Sequence, residues 1–381
     1  MSLILRLSYT TKLTVKMPEP LKNLYSKQLL QALCKEMQRS YGAFEAGRFM
    51  ELVLDDSWAQ RELKQRMEHI SKSLHKCLPS EYPEAVDILQ RVAPKFVGFE
   101  YMFFPGFVEL YGMDDYEVSI TALANFTEYA SSEFAVRPFI KIYGSRMMTQ
   151  MSAWAVSDNL HMRRLASEGC RPRLPWAMAL PEFKQDPGPI LPILEKLKAD
   201  GSEYVRRSVA NNLNDIAKDN PGTVVNIAGH WLGNNPHTDR LVKHACRTLL
   251  KRGQPEIMRL FGFVNPAHIT IKDFAVQEVV NMGRGVSFSF TLRSAKQPLG
   301  KLRIEYAIDF MKKNGKPSRK LFMLSESQNT GYEKPFHKMY SFRKISTRKY
   351  YTGTHGVAVI VNGHELAGGL FELQAPVEPS S

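Results

Sequence analysis

The hydrophobic periodicity of the sequence changes near Phe263, and this change constrains the fold more than any other feature. Before Phe263, apolar residues recur at helical spacing, as in the run of Leu30, Leu33 and Met37. After it, β-branched and aromatic residues alternate with polar ones in short runs that Gly and Asn-Gly turn signals separate. The sequence therefore predicts a helical part followed by a β-rich part.

The β-rich part contains several clear strand signals. They begin at Ile269, Val286, Leu302 and Val357, and turn signals lie between them. Together they indicate about seven short strands, a number that favours an immunoglobulin-like β-sandwich. We therefore predict a helical domain over residues 17–263 and an immunoglobulin-like domain over residues 264–381.

A weak internal repeat indicates how the helical part is organised. The segments around Arg163, Arg206 and Lys243 resemble one another, and these cations are 43 and 37 positions apart. Helix-pair repeats of the HEAT kind run roughly 40–47 residues and stack into a solenoid with a concave face. The spacing therefore predicts an α-solenoid of HEAT-like repeats.

The second copy of the repeat shows how such a helix divides its faces. An apolar stripe runs from Val205 to Ile216 at helical intervals. Arg207, Asn211 and Asp215 recur every four residues on a different face. This helix is expected to bury one side and to offer a cation, an amide and a carboxylate on another.

The chain is basic, and the excess charge is concentrated in the β-rich part. Lys and Arg number 51 against 38 Asp and Glu, a net charge of +13. Residues 264–381 carry 17 basic against 9 acidic residues, and residues 334–351 interleave six basic residues with aromatics. Such an excess favours a polyanionic partner, either nucleic acid or an anionic membrane. No apolar run reaches the roughly 18 residues of a membrane-spanning helix, so we expect a soluble protein.

The dense basic stretch has two interpretations. Its cations are candidates for phosphate contacts, and its aromatics for packing in the sandwich or against sugars. The alternative is a solvated basic edge strand that resists aggregation. We predict DNA contacts here from Arg343, Lys344, Arg348 and Lys349.

The cysteines and the N-terminus limit other classes of function. The four cysteines are scattered and none lies in a C-x-x-C pair, which disfavours a zinc or redox site and predicts reduced thiols. Residues 1–16 contain no acid and precede a second methionine, Met17. We expect an unstructured leader there, with a targeting peptide as the alternative.

The run RRLASEGCRPRLPW, from Arg163 to Trp176, contains the most unusual grouping of polar residues. A helix is expected to end near Gly169, which places Glu168 in its last turn, where a carboxylate opposes the helix dipole. A residue placed against a local rule is a hint of function. The alternative is a structural ion pair between Glu168 and Arg164 four residues earlier.

This run resembles the signature of the AlkC branch of HEAT-like-repeat DNA glycosylases. The run YVRRSVANNLNDI from Tyr204 and the opening MPEPLKNLY from Met17 also resemble that branch. The resemblance extends from Met17 to about Leu373 and includes the immunoglobulin-like part.

The resemblance implies excision of cationic N3-alkylated bases, chiefly 3-methyladenine and 3-methylcytosine, from double-stranded DNA without base flipping. It implies active-site acids at Glu133, Glu168 and Asp215 and an aromatic residue at Trp176. The predicted DNA contacts in the helical part, from the resemblance, the loop and the repeat, are Arg163, Arg164, Arg171, Arg173, Arg206, Arg207 and Lys243.

Physical chemistry fits these roles. A base alkylated at N3 is already cationic and leaves without an acid to protonate it, so carboxylates are needed only to stabilise the sugar cation and to activate water. Asp215 is the first candidate, Glu168 the second and Glu133 the third, while Trp176 offers its ring to the cationic nucleotide. The alternatives are an Asp215–Arg207 ion pair and a core position for Trp176.

We therefore expect a monomeric bacterial cytoplasmic enzyme, associated with the nucleoid when bound to DNA, that needs no metal or organic cofactor. Two rival interpretations remain open at this point. One is a non-catalytic HEAT-repeat scaffold that binds nucleic acid or protein. The other is a metal-dependent nuclease, which the lack of a clustered Asp/His motif disfavours.

Overall fold

The structure is a computed structural model that describes residues 19–346 and 348–376. The predicted leader, residues 1–16, lies outside the described residues. Those residues form fifteen α-helices followed by eight β-strands, and the change from helix to strand falls between Leu260 and Ile269. The predicted order of a helical part and a β-rich part is confirmed.

The helices are mostly short and are joined by brief turns or 3₁₀ segments. They are α1 Lys27–Ser40, α2 Ala46–Val53, α3 Leu63–His75, α4 Tyr82–Val92, α5 Phe103–Tyr111, α6 Tyr116–Phe126, α7 Val136–Trp154, α8 Leu160–Gly169, α9 Pro181–Gln185, α10 Leu191–Leu197, α11 Glu203–Asp219, α12 Pro221–Trp231, α13 Pro236–Ala245, α14 Arg247–Lys251 and α15 Pro255–Leu260.

The strands follow without an intervening helix. They are β1 Ile269–Val276, β2 Val279–Asn281, β3 Gly285–Ser294, β4 Gly300–Met311, β5 Pro317–Asn329, β6 Glu333–Ser341, β7 Gly353–Val361 and β8 His364–Gln374.

The described chain divides into two compact units. The first contains residues 19–180 together with Gly188–Leu197, and the second contains Pro181–Pro187 together with residues 198–376. Helices α1 to α8 and α10 therefore belong to the first unit. Helices α9 and α11 to α15 belong to the second unit, with all eight strands.

In the first unit, consecutive helices bury apolar stripes against their neighbours. Helix α1 begins at a Ser26 cap, whose hydroxyl accepts from the Leu29 backbone, and it buries Leu30, Leu33 and Met37 as the periodicity predicts. Helices α1 and α4 pack together, as do α3 and α5 and then α7 and α8. The centre is rich in phenylalanine; fully buried rings include Phe103, Phe104, Phe107, Phe126 and Phe139.

The second unit contains a β-sandwich of two sheets. One sheet has the order β1-β3-β6 and the other β2-β8-β7-β4-β5, and neighbours are antiparallel except β2 and β8. Strand β3 alternates buried and partly buried residues, so Phe288 and Phe290 point into the core, against Ile304 and Ile308 of β4 and Val359 of β7.

The turn between α14 and α15 and the linker after α15 contact this sandwich. The β7–β8 hairpin turns through Asn362 and Gly363, both with positive φ, as the Asn-Gly signal predicts. Asn362 donates to the Val264 carbonyl at 2.8 Å, and Gly363 lies against Gly253, in the turn between α14 and α15. The β7–β8 hairpin is therefore joined to the end of the helical part by a side-chain hydrogen bond and by close packing of two glycines.

Candidate active site and basic pocket

A buried arginine shapes the loop that follows α8 in the first unit. Arg137, on α7, is fully buried and donates to the carbonyl oxygens of Gly169 and Arg171, both at 2.8 Å, and of Met178 at 2.7 Å. These acceptors lie at the start and the end of the loop. Arg137 thus fixes the path of the segment that contains Trp176, a role that its sequence context does not reveal.

Two candidate carboxylates share one guanidinium group. Arg164 donates to Glu133 at 2.5 Å and lies 3.6 Å from Glu168, so the ion pair left open by the sequence is present. Arg171 also binds Glu168, at 2.6 Å. All four side chains are largely buried, between 7% and 16% exposed. Charge-assisted hydrogen bonds at low dielectric hold both carboxylates in fixed orientations.

Trp176 stands out from this loop. Trp176 is 60% exposed, and its φ of 65° is unusual for any residue other than glycine. Lys64 donates to the Trp176 carbonyl at 2.7 Å, and the ring of Phe99 meets the indole edge-on with centroids 6.1 Å apart. Trp176 is therefore not a core anchor; its backbone is held while its indole faces outward.

A cleft of about 120 Å³ adjoins these residues within the first unit. Lys64, Glu109, Ser131 and Phe134 are part of its lining, and the Lys64 ammonium lies 5.2 Å from the Phe134 ring centroid. Ser131 also donates to Glu133 at 2.8 Å, which links the cleft to the paired carboxylates. Burial raises the pKa of Glu109, and nearby Lys64 partly offsets that effect.

The sequence did not single out Lys64 or Glu109. Lys64 lies on α3 and Glu109 on α5, well before the run that attracted attention, and each looks like an ordinary surface position of an amphipathic helix. No local sequence signal identifies them, because their role depends on contacts with residues far along the chain.

The first arginine of each repeated Arg-Arg pair has a structural contact in common. Arg163 donates to the carbonyl oxygens of Ser157 and Asp158, at 2.9 and 2.8 Å. Arg206 donates to the carbonyl of Asp200, again six residues earlier. Each arginine therefore braces the turn that precedes its own helix, which gives the internal repeat a physical basis.

In the second unit, Arg206 and Arg207 line a pocket of about 350 Å³ between α11 and α13. We call it the α11–α13 pocket; its lining is Glu203, Arg206, Arg207, Ala210, His237, Arg240, Leu241 and His244. The ion pair of Arg207 is with Glu203, at 3.0 Å, and not with Asp215. Arg207 therefore pairs with Glu203 and not with Asp215, the partner that the sequence left open.

Asp215 lies two turns further along α11 and is buried, with 2% of its side chain exposed. Lys218 donates to it at 2.8 Å from the next turn. The apolar stripe of the same helix, Val205 to Ile216, is buried as predicted. The carboxylate is therefore desolvated and ion-paired rather than displayed on a polar outer face.

Lys243 occupies the third copy of the repeat, on α13. Its ammonium forms an ion pair with Glu326 of β5, and Glu326 also accepts from Arg303 at 3.0 Å. Lys243 is half exposed. It therefore connects a helix of the second unit to the sandwich, whatever else it contacts.

The basic stretch, residues 334–351, places some of its side chains in the core and others at the surface. Its aromatics Phe342 and Tyr350 are buried in the sandwich, so they pack rather than face outward. Arg348 lies 4.2 Å from the Phe310 ring centroid and donates to a tyrosine hydroxyl. Arg343, Lys344 and Lys349 are exposed. In the first unit, Arg173 is exposed as well.

Over 19–346 and 348–376, no group of three or more His, Cys, Asp or Glu side chains is placed to hold a metal ion. Within the same residues, no helix combines the length and apolar character that crossing a membrane requires. None of the four cysteines forms a disulfide.

Comparison with known proteins places these features in context. Residues 270–375 match the family described as the C-terminal Ig-like domain of the uncharacterised protein YhaZ, in agreement with the predicted sandwich. YhaZ of Bacillus subtilis strain 168 is 44% identical over 345 residues, covering 90% of this chain and 96% of that protein. The structure is also similar to that of Pseudomonas fluorescens alkylpurine DNA glycosylase AlkC bound to DNA with an abasic site analogue. That likeness has a TM-score of 0.90 and 40% identity, over 94% of this chain and 100% of AlkC.

Proposed function

Since this chain belongs to the AlkC-type family of DNA glycosylases, we propose that it is a DNA repair glycosylase for cationic alkylated bases. In this proposal it hydrolyses the N-glycosidic bond of 3-methyladenine and 3-methylcytosine in double-stranded DNA. It acts as a monomer in the bacterial cytoplasm. The glycosylase domain is residues 17–263, and the immunoglobulin-like domain, residues 264–381, adds contacts to DNA.

The observation that carries the proposal is a pair of carboxylates fixed by one guanidinium group, together with a tryptophan exposed on the loop that follows α8. Glu133 and Glu168 are oriented by Arg164, and Trp176 extends from the adjoining loop with its backbone fixed. A purely structural scaffold requires neither an exposed indole at a residue with positive φ nor a pair of oriented acids. Backbone strain of this kind tends to occur at functional sites.

The proposed chemistry needs no proton donor for the leaving base. As the bond from C1′ to the base nitrogen breaks, its electron pair neutralises the positive charge of the alkylated base. Positive charge then develops on the deoxyribose, and water adds at C1′ after losing a proton. Asp215 is proposed to stabilise that charge and activate the water, with Glu168 and then Glu133 in support. Trp176 offers its electron-rich face to the cationic nucleotide.

We further propose that the lesion is not flipped into an enclosed pocket. Base-flipping enzymes surround the extruded base with a closely fitting cavity. Here the proposed aromatic contact, Trp176, is 60% exposed. Contacts to DNA are assigned to Arg163, Arg164, Arg171, Arg173, Arg206, Arg207, Lys243, Arg343, Lys344, Arg348 and Lys349.

The experiment is incubation of the full chain with methylated duplex DNA and identification of the released bases. Release of free 3-methyladenine or 3-methylcytosine, unaffected by EDTA, is the expected result. If the folded protein binds DNA but releases no base, the interpretation as a non-catalytic scaffold is favoured. Strand cleavage that EDTA abolishes would indicate a metal-dependent nuclease.

The role of Asp215 is tested by Asp215→Asn, which keeps the side-chain shape and removes the charge. We expect single-turnover excision to fall by at least about 100-fold, because a general base typically contributes 10²–10⁴-fold. Binding to undamaged duplex should stay within about threefold of the wild type. The matched control is Asp219→Asn on the exposed end of the same helix. Full excision activity in Asp215→Asn with unchanged binding would exclude the catalytic role.

A further inference from the structure

The α11–α13 pocket has more positive charge than its surroundings balance. Among its lining groups, the guanidinium groups of Arg206, Arg207 and Arg240 face a single carboxylate, Glu203. That carboxylate pairs with Arg207 at 3.0 Å. The excess therefore rests on Arg206 and Arg240.

One histidine holds these two arginines together. The Nδ1 atom of His237 lies 3.3 Å from Arg206 Nη2 and 3.0 Å from Arg240 Nη2. Guanidinium groups only donate hydrogen bonds, so Nδ1 accepts both bonds and carries no proton. The ring therefore positions two cations next to each other without neutralising them.

The remaining donors of Arg240 are available. Its bond to His237 is the only side-chain hydrogen bond that Arg240 makes within residues 19–346 and 348–376, and both residues are exposed to solvent. Two neighbouring guanidinium groups repel each other unless an anion lies between them. The planar fork of a guanidinium group matches the oxygen atoms of a phosphate group.

The charged form of the second histidine of the pocket, His244, is disfavoured. Burial lowers the pKa of His244, and the positive charges of Arg247 and Arg207 lower it further. Its Nε2 atom lies 3.2 Å from the side-chain oxygen of Asn211, which also accepts from Arg247 at 3.1 Å. His244 thus serves as a hydrogen-bond donor, and the net positive charge of the pocket comes from arginine.

We propose that the α11–α13 pocket is a binding site for one phosphate group of the DNA backbone, held mainly by Arg206 and Arg240 and organised by His237. Its volume of about 350 Å³ lies at the small end of ligand pockets, which suits a phosphate with part of its sugar. This inference rests on the proposed function, to which it adds Arg240 and His237 as DNA-contacting and positioning residues.

The test measures the salt dependence of binding to a short undamaged duplex. Each phosphate neutralised by a cation releases counterions, so loss of one contact lowers the slope of log K against log salt by about 1. We expect this reduction for Arg240→Ala, and for Arg240→Gln should the alanine variant fold poorly. The control is Arg259→Ala, an exposed arginine on α15 outside the pocket, which should keep the wild-type slope.

His237 provides a second readout. His237→Ala removes the acceptor that holds both arginines and should weaken duplex binding in low salt about as much as Arg240→Ala does. His237→Gln supplies a neutral acceptor and should restore much of that binding. Equal loss in both histidine variants would contradict the positioning role.

Two further outcomes distinguish this proposal from the alternative explanations. If inorganic phosphate at constant ionic strength raises the thermal midpoint of the wild type but the salt slope of Arg240→Ala is unchanged, the pocket binds free anions and the backbone assignment is wrong. An unchanged slope with no effect of phosphate overturns the proposal altogether. Neither result bears on base release by the wild type, so failure of the glycosylase assignment is recognised separately.

Discussion

The arginines of this protein differ in what their guanidinium groups contact. Arg137, Arg163 and Arg206 donate to backbone carbonyls and so fix loops. Arg164 and Arg171 face carboxylates and so orient acids. The first role needs a donor of fixed planar geometry, and the second needs a permanent charge; arginine supplies both, which lysine does not. A single residue type therefore builds both the framework and the chemistry.

Lys64 should influence the position of Trp176 through the backbone of the loop. Its ammonium is bonded to the Trp176 carbonyl at 2.7 Å, and a hydrogen bond with a charged partner contributes about 1.5–3 kcal/mol. Lys64→Met should release the loop and slow single-turnover excision by about tenfold. Lys64→Arg should recover part of the rate, because it retains a cationic donor.

The control for this prediction is Lys72→Met, on the same helix, where the lysine pairs with exposed Glu68. The fluorescence of Trp176, taken as the difference from Trp176→Phe, should shift in Lys64→Met and stay unchanged in Lys72→Met. A wild-type rate and spectrum in Lys64→Met would show that the loop holds its conformation without this contact.

Among the structural elements, two hairpin turns of similar sequence differ in what packs against them. Asn314-Gly315 and Asn362-Gly363 are both Asn-Gly turns, and both glycines have positive φ, at 72° and 83°. A Cβ atom at Gly315 would meet nothing within 4 Å, whereas one at Gly363 would lie 2.7 Å from the Cα of Gly253. Asn362 also has positive φ whereas Asn314 does not, and the second turn packs against the turn between α14 and α15.

This difference predicts unequal costs for the same substitution. Gly315→Ala should destabilise the protein by about 1 kcal/mol, the cost of a side chain at positive φ. Gly363→Ala should cost about 2 kcal/mol more, because backbone must move to admit the methyl group. Thermal unfolding of the two variants and the wild type, followed by calorimetry, measures the difference. Equal midpoints for the two variants would mean that the Gly253 contact relaxes freely.

At the level of the whole molecule, the net charge of +13 determines how the protein meets a polyanion. The β-rich part carries most of the excess, but its basic residues are not equivalent. Arg348 is engaged with aromatic residues of the sandwich, while Arg343, Lys344 and Lys349 remain exposed. Of the four cations assigned to DNA in this stretch, the exposed three are therefore expected to contribute most of the long-range attraction.

Neutralising these three cations tests the role of the sandwich in the full chain. The triple variant Arg343→Ala, Lys344→Ala, Lys349→Ala should lower the salt slope of duplex binding by about 2 to 3. The matched control removes three exposed lysines from the β4–β5 turn of the same sandwich, Lys312, Lys313 and Lys316. Equal slopes in the two triple variants would mean that total charge, and not the position of the basic stretch, governs binding.

Cutting the chain after residue 263 is a less suitable experiment. Gly253 packs on Gly363, Asn362 bonds to Val264, and Lys243 pairs with Glu326, all within the second compact unit. Removing the sandwich would expose these surfaces, and lost activity would then report unfolding as well as lost DNA contacts.

Local pattern in the chain was sufficient to predict that a helical part precedes a β-rich part, and to predict several of their helices, strands and turns. Helical spacing predicted the buried stripe from Val205 to Ile216, and alternation predicted the buried residues of β3. The Asn-Gly pair predicted the turn at Asn362. These outcomes depend on residues only a few positions apart, whose relative directions are set by backbone geometry. The resemblance to a glycosylase family also came from contiguous runs.

Only the tertiary structure decided which of the charged residues meet. Glu133 and Arg164 are 31 positions apart, and Lys64 and Trp176 are 112 apart, yet each pair is in hydrogen-bond contact. Arg207 pairs with Glu203 although its helix also carries Asp215, and His237 joins Arg206 to Arg240 across two helices. Such contacts depend on how whole helices pack, and packing is a sum over many weak contacts that no single motif encodes.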